Sequence, residues 1–179
     1  MTNILPISHI GAAVLRQPAQ SIDLPLTPEF QKLIDGLIQT ALDSNGVGIA
    51  APQVANSCRL FIVASRPSPR YPQAPTMEPT AMINPQIIDR SSEEVVDWEG
   101  CLSVPGQRGL VSRAQWVDVK YIDRFGQPQQ QRLTDFVARI FQHEYDHLAG
   151  ILFIDRITNL ENLISEEEYQ KIQFDPIKV

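Results

Sequence analysis

One helix constrains this chain more than any other feature. Between a capping Thr134 or Asp135 and a terminating Gly150, Phe136, Ile140, His143 and His147 recur on one face of a helical pattern. Val137, Phe141, Glu144 and Leu148 recur on the face beside it. A helix apolar over so wide an arc must be buried, packed against sheet. Its middle nevertheless holds the ionisable run His143-Glu144-Tyr145-Asp146-His147. Residues i and i+4 share a helix face, so both imidazoles can reach one metal ion, and Glu144 stands beside it to handle protons. This is the H-E-x-x-H arrangement of metal-dependent hydrolases. The chain has only three histidines in 179 residues, so finding two of them at this spacing is a specific signal.

The remaining sequence supplies the sheet. Leu60 to Ala64 reads as a short buried strand, with further strands over Ala81 to Ile88 and Glu94 to Trp98. Trp116 to Ile122 alternates, with Val117, Val119 and Tyr121 on one side, and a Phe125-Gly126 turn leads to a partner over Gln129 to Leu133. An earlier amphipathic helix starts at Thr27 as N-cap with Pro28 at N1, runs through Phe30, Leu33, Ile34, Leu37, Ile38, Ala41 and Leu42, and stops at Asn45-Gly46. Five prolines in residues 66–79 forbid regular structure and imply a long surface loop. Residues 1–26 read as an irregular arm carrying His9. A Ser165 to Glu168 capping box opens a short helix in the tail, 160–179. The expected fold class is α+β, with mostly antiparallel sheets around a central buried helix carrying the HEYDH run, in one domain spanning 1–179.

Charge and cysteine usage narrow the function. A net charge of -6 argues against nucleic acid as the main partner, and no sequence-specific nucleic-acid binding is expected. No apolar run reaches the length of a membrane span, and Met1 to Leu15 lacks the regions of a signal peptide. Two cysteines, Cys58 and Cys101, make no disulfide framework and fit a reducing compartment.

Two histidines leave a catalytic metal one protein ligand short. The candidates are Cys101, Cys58, His9 and the acidic tail. Cys101 lies in Glu99-Gly100-Cys101-Leu102-Ser103-Val104-Pro105-Gly106, where the glycines and proline suggest a rigid turn after a strand, and a thiolate binds zinc or ferrous iron strongly. Cys58, beside an apolar strand, reads as a small buried hydrophobe. A third stretch, Gly46-Val47-Gly48-Ile49-Ala50-Ala51-Pro52-Gln53, combines small residues with an amide that can donate to an oxyanion. These residues leave open a zinc endopeptidase with Glu166 as third ligand, and a structural zinc module closed by Cys58, Cys101, His143 and His147.

Taken together, Gly46 to Gln53, Glu99 to Ser103 and Gln142 to His147 resemble the three motifs of the peptide deformylase family, in the same order. Ile4 to Ala19 and Leu148 to Arg156 resemble that family's arm and post-helix segment. The chain departs from the pattern in its proline-rich loop and at Arg139. The resemblance implies removal of the formyl group from the N-terminal formylmethionine of newly made polypeptides. Cys101, His143 and His147 would hold one divalent metal, Fe2+ by family habit, with Zn2+, Ni2+ or Co2+ as substitutes. Glu144 would carry the proton, and the Gln53 side chain and the Leu102 N–H would hold the oxyanion. Val47, Phe136 and Ile140 are expected to line a methionine pocket, with Gly46, Gly48 and Gly100 near the substrate backbone. Arg108 is expected to contact the peptide further along, or to be a solvated surface group. Glu99 is expected beside the substrate and as an orienting partner of the ligands. Structural hydrogen bonding is expected of Tyr145 and Asp146, and the run Glu166-Glu167-Glu168 reads as a solvated helix start. The implied partners are N-formylmethionyl nascent polypeptides, with the ribosome surface as a candidate meeting place and a bacterial-type cytoplasm or an organelle as location.

Overall fold

The computed structural model describes residues 4–174; positions 1–3 and 175–179, which the expectations for the arm and the tail include, lie outside the described residues. The first helix, α1, spans Pro28–Asp43 and begins as its sequence dictates. Thr27 accepts from the Phe30 N–H at 3.2 Å, and Pro28 occupies the first turn. Asn45, at φ +52°, ends it in the left-handed conformation that asparagine tolerates. Arg66 then donates to the Leu42 and Gly46 carbonyls at 2.6 and 3.1 Å, placing a cation on the unpaired end of the helix.

Strands β1 (Gly48–Ala50), β2 (Leu60–Val63) and β3 (Thr80–Arg90) follow, then β4 (Glu94–Cys101), β5 (Val104–Ala114), β6 (Trp116–Ile122) and β7 (Pro128–Thr134). Helix α2 spans Asp135–His147, and β8 (Leu163–Ser165) and α3 (Glu166–Phe174) follow. All named strand pairs are antiparallel. One sheet has the order β1-β2-β3-β6-β7 and the other β4-β5-β8.

The five-stranded sheet is covered on both faces, which explains the uninterrupted apolar run of β2. Leu60 and Ile62 join Ile34, Leu37 and Ala41 of α1, whereas Phe61 and Val63 join Ala138, Ile140 and Phe141 of α2. Phe61 meets Phe141 edge-on at 5.1 Å between centroids. Each such fully buried aromatic side chain contributes roughly 1.5–3 kcal/mol. A third cluster, with Leu15, Cys101, Val104, Val111, Leu152 and Phe153, joins the smaller sheet to the segment after α2.

Several expectations need correction. Residues 104–114 were expected to hold a turn at Gly106, yet they form the eleven-residue strand β5. Gly106 adopts φ +77° within it. A side chain at Gly109 would clash with Ile157 and stand 3.0 Å from Phe153, so that glycine is dictated by packing. The proline-rich segment holds no helix or strand, apart from a Ser68–Tyr71 bridge, but it does not stand off the surface. Ala74 is buried, Met77 packs into the core beside α2, and Ser65 donates to the Pro75 carbonyl at 2.6 Å. No helix of the described residues is long and apolar enough to cross a membrane.

Candidate metal centre and active site

Three segments distant in sequence meet at one buried point. β4 ends at Cys101, and the two-residue Leu102-Ser103 turn pairs Cys101 with Val104, so the thiol is held by a hairpin. α2 brings His143 and His147 on successive turns, their rings 5.2 Å apart. The N-terminal arm ties the segments together. Ser8 N–H donates to Gln53 O, Ile10 N–H to Ser103 O and Ala19 N–H to Leu148 O, at 2.7 to 2.9 Å.

Among the described residues, Cys101, His143 and His147 are the one group of three suited to a metal, with their donor atoms all within 4.8 Å of one another. Cys101 Sγ lies 3.3 Å from His147 Nε2. With metal–sulfur and metal–nitrogen bonds of about 2.3 and 2.1 Å, tetrahedral donors stand roughly 3.6 Å apart, so this set fits a divalent ion. Burial opposes ionisation of the Cys101 thiol. The charge of His147 and the hydrogen bond from His143 outweigh it and hold the group well below the ordinary thiol value. A thiolate with two imidazoles suits several transition metals. Cys58 lies outside this group, half-buried, with its thiol pushed up by burial to about 11. Glu166 is engaged elsewhere. His9 is exposed and also lies outside the group.

Glu99 stands behind these candidate donors. Its Oε2 meets His143 Nδ1 at 2.9 Å, which leaves Nε2 for a metal, and Arg113 donates to both carboxylate oxygens at 2.9 Å. Arg139 adds a third partner at 2.9 Å and also donates to the Val95 and Val111 carbonyls. Arg139 is therefore a buried strut joining α2 to the smaller sheet. Burial would raise the Glu99 carboxyl, but hydrogen bonds from Arg113 and His143 hold it well below the usual carboxylate range. Arg113 also reaches Asp146 at 2.6 Å, and Arg156 binds the same carboxylate at 2.6 and 3.0 Å. Asp146 thus anchors the back of the histidine helix. Tyr145 stacks on Phe141 and under Arg59.

Glu144 is different in kind. It is 4% exposed, and its Oε2 has no hydrogen-bond partner. Burial pushes its carboxyl up to about 7, against the pull of the two imidazoles. A carboxyl poised near neutrality and aimed into a cavity is suited to general acid–base work. Gln53 holds its own loop by accepting from Ala50 N–H at 2.8 Å. Its Nε2 donates toward Ser103 Oγ at 3.1 Å and Cys101 Sγ at 3.4 Å.

One cavity joins these groups. Gln53, Glu99, Cys101, Leu102, His143 and Glu144 line it, together with the apolar and aromatic Val47, Phe136, Ile140, Tyr71 and Trp98. The glycines at its rim make room for side chains. A Cβ on Gly46 would stand 3.1 Å from Leu102 Cδ1, one on Gly48 2.6 Å from Glu144 Oε1, and one on Gly100 2.9 Å from Arg108. Arg108 overturns the solvated reading: it is 0% exposed and absent from the cavity lining. Its guanidinium binds both oxygens of Glu166, at 2.7 and 3.1 Å, so the first acid of the tail run is an ion-pair partner. Tyr71, which sequence reasoning passed over among the prolines, lines the cavity. Only its aromatic character amid that run could have flagged it.

Comparison with known proteins agrees with this geometry. The family model described as Polypeptide deformylase matches residues 4–163. Peptide deformylase 2 of Nostoc sp. is 62% identical over 169 residues, covering 94% of both chains. Peptide deformylase 2 of Shewanella oneidensis is 45% identical, covering 92% of this chain and 90% of its own. Among solved structures, a Met-Ala-Ser-bound class I type b peptide deformylase from Acinetobacter baumannii superposes with a TM-score of 0.85. That protein is 47% identical and covers 88% of this chain and 100% of its own. A family model matched over residues 4–163, a relative 62% identical over 94% of both chains, and a fold shared with a solved deformylase over 88% of this chain mean that this chain belongs to the polypeptide deformylase family.

Proposed function

We propose that Cys101, His143 and His147 hold the catalytic metal, and that Glu144 carries the proton, in hydrolysis of N-terminal formylmethionine. The reaction itself is the family's. Water adds to the formyl carbon of a newly made polypeptide, the carbon–nitrogen bond breaks, and formate and a free methionine amine leave. When bound, the divalent ion supplies Lewis acidity, which makes water a better nucleophile and polarises the formyl oxygen. Glu144 accepts a proton from the attacking water and returns it to the departing amine. Gln53 Nε2 and the Leu102 N–H stabilise the oxygen charge that develops on the formyl group, and each such donor is worth about 10²–10³ in rate. Val47, Phe136 and Ile140 take the methionine side chain. Glu99 fixes the ring of His143, with Arg113 holding Glu99 in turn.

The single observation carrying this reading is the unpaired, buried Glu144 oxygen beside the Cys101–His143–His147 donor set. We propose ferrous iron as the native ion, with zinc, nickel or cobalt as replacements, and Met-Ala-Ser, seen on the Acinetobacter relative, as a product of the corresponding formyl peptide. The catalytic unit is the whole chain, which would meet its substrates at the ribosome surface in a bacterial-type cytoplasm. The test is formate release from formyl-Met-Ala-Ser under anaerobic conditions, with iron-loaded and zinc-loaded protein compared. Glu144→Ala should retain its metal and lose about 10²–10⁴ in kcat. A metal-replete Glu144→Ala protein with full activity would refute the assignment.

A further inference from the structure

The proline-rich loop and the tail helix are far apart in sequence, yet one buried side chain joins them. Arg108 donates from Nε and Nη2 to Glu166 at the start of α3, and from Nη1 to the Tyr71 hydroxyl at 2.9 Å. Its guanidinium lies between two rings, 5.1 Å from the centroid of Tyr71 and 4.7 Å from that of Tyr169. Tyr169 in turn meets Trp98 edge-on at 5.7 Å, and Tyr71 packs on Phe136 at 5.2 Å. Tyr71, Trp98 and Phe136 all line the cavity. Gly100 is bare because the Arg108 stem passes over it, one residue from the ligand Cys101.

We propose that the tail helix sets substrate selectivity through this Glu166–Arg108–Tyr71 relay, with Tyr71 as the adjustable wall of the side-chain pocket. The proposal rests on the pocket reading above. Tyr71 exchanges backbone hydrogen bonds with Ser68 in a turn outside both sheets, and its ring is placed by what it touches: Phe136, Arg108 and the Arg70 guanidinium, 5.9 Å from its centroid. Arg108 is fully buried, and a buried guanidinium keeps its place only while paired. Burial works against its charge, and Glu166 and the two tyrosines outweigh that penalty. Removing Glu166 leaves Arg108 to seek water. The guanidinium leaves Gly100 and releases the Tyr71 hydroxyl, and the wall beside Phe136 loosens. The hydrogen bonds and ion pair of Glu166 go to Arg108, not to Cys101, His143, His147 or Glu144. Arg108 and Glu166 are thus positioning residues, and their effect falls on which side chain is accepted.

The experiment compares metal-loaded wild type with Glu166→Ala, Glu166→Gln, Tyr71→Phe and the Glu166→Ala/Tyr71→Phe double variant. KM and kcat are measured for formyl-Met-Ala-Ser and formyl-Phe-Ala-Ser, with calorimetric Kd for Met-Ala-Ser and Tm. Glu166→Ala should raise KM for the methionyl substrate, and weaken Met-Ala-Ser, by roughly five- to tenfold, and narrow the methionine preference by a similar factor. Its kcat should stay within about twofold. Glu166→Gln, which keeps one acceptor, should fall between. The double variant should be no worse than the poorer single one, because both cut the same relay. An unchanged methionine preference in Glu166→Ala overturns the proposal, whatever its Tm, as does a fall in kcat with KM unchanged or full additivity in the double variant. An inactive metal-loaded wild type would instead sink the assignment of the reaction, and the Met-Ala-Ser Kd series would still judge the relay.

Discussion

Gly48→Ala tests the geometry of Glu144, the proposed proton carrier, with one carbon atom. A Cβ at this position would stand 2.6 Å from Glu144 Oε1 and 2.9 Å from Ile140 Cγ2. Ordinary contact begins at 3.4 Å, so the carboxylate must move by the better part of an ångström. Gly48 is not among the glycines with positive φ, so the backbone accepts alanine and the effect is purely steric. Both neighbours belong to α2, whose flanks are buried against sheet, and so the carboxylate rather than the helix yields. Overpacking of this kind costs about 1–3 kcal/mol, more than the roughly 0.4–1 kcal/mol gained by restricting the unfolded chain. Net destabilisation should appear as a fall in Tm of about 2–4 °C per kcal/mol. A misplacement near 1 Å at a catalytic group costs on the order of 10² in rate. The variant should therefore lose about a hundredfold in kcat for formyl-Met-Ala-Ser while its metal content, read by elemental analysis, stays at one ion per chain. Wild-type kcat in a metal-replete Gly48→Ala protein would show that Glu144 need not occupy its observed position, and the acid–base argument would fail.

Two other substitutions probe what surrounds the donors. Glu99→Ala leaves Arg139 without a carboxylate partner, Arg113 with Asp146 alone, and His143 without its orienting partner. It should cost about 3–5 kcal/mol in urea unfolding and weaken metal binding about 10–100-fold by competitive chelation, and a neutral result in both would dismiss the strut. Cys58→Ser should leave metal content and formate release as in the wild type, since Cys58 lies outside the donor group; loss of the ion would revive a four-coordinate structural site.

Much of the molecule could be read from short-range pattern. The Thr27 cap, the Asn45 stop, the β6–β7 hairpin and the Ser165–Glu168 box all emerge where the sequence places them, because each depends on contacts within a few residues. Strand β5 escaped for the opposite reason. Pro105, Gly106 and Gly109 read as breakers, and the element exists because β4 on one side and β8 on the other pair with it. The loop of prolines was rightly read as irregular. That said nothing of Tyr71, whose ring meets Phe136 and Arg108 across 65 and 37 residues of chain.

By itself, then, the sequence determined the histidine helix and its glutamate, since a period of 3.6 residues places His143 and His147 on one face whatever lies around them. It also carried the family, through three motifs in order. Only the tertiary structure decided that the third donor is at hand in Cys101 and that Arg108 is interior. It likewise decided that Gly48 and Gly100 are small on account of Glu144 and Arg108. Those facts are distances between segments far apart in the chain, set by strand pairing and packing rather than by any local preference of the residues involved.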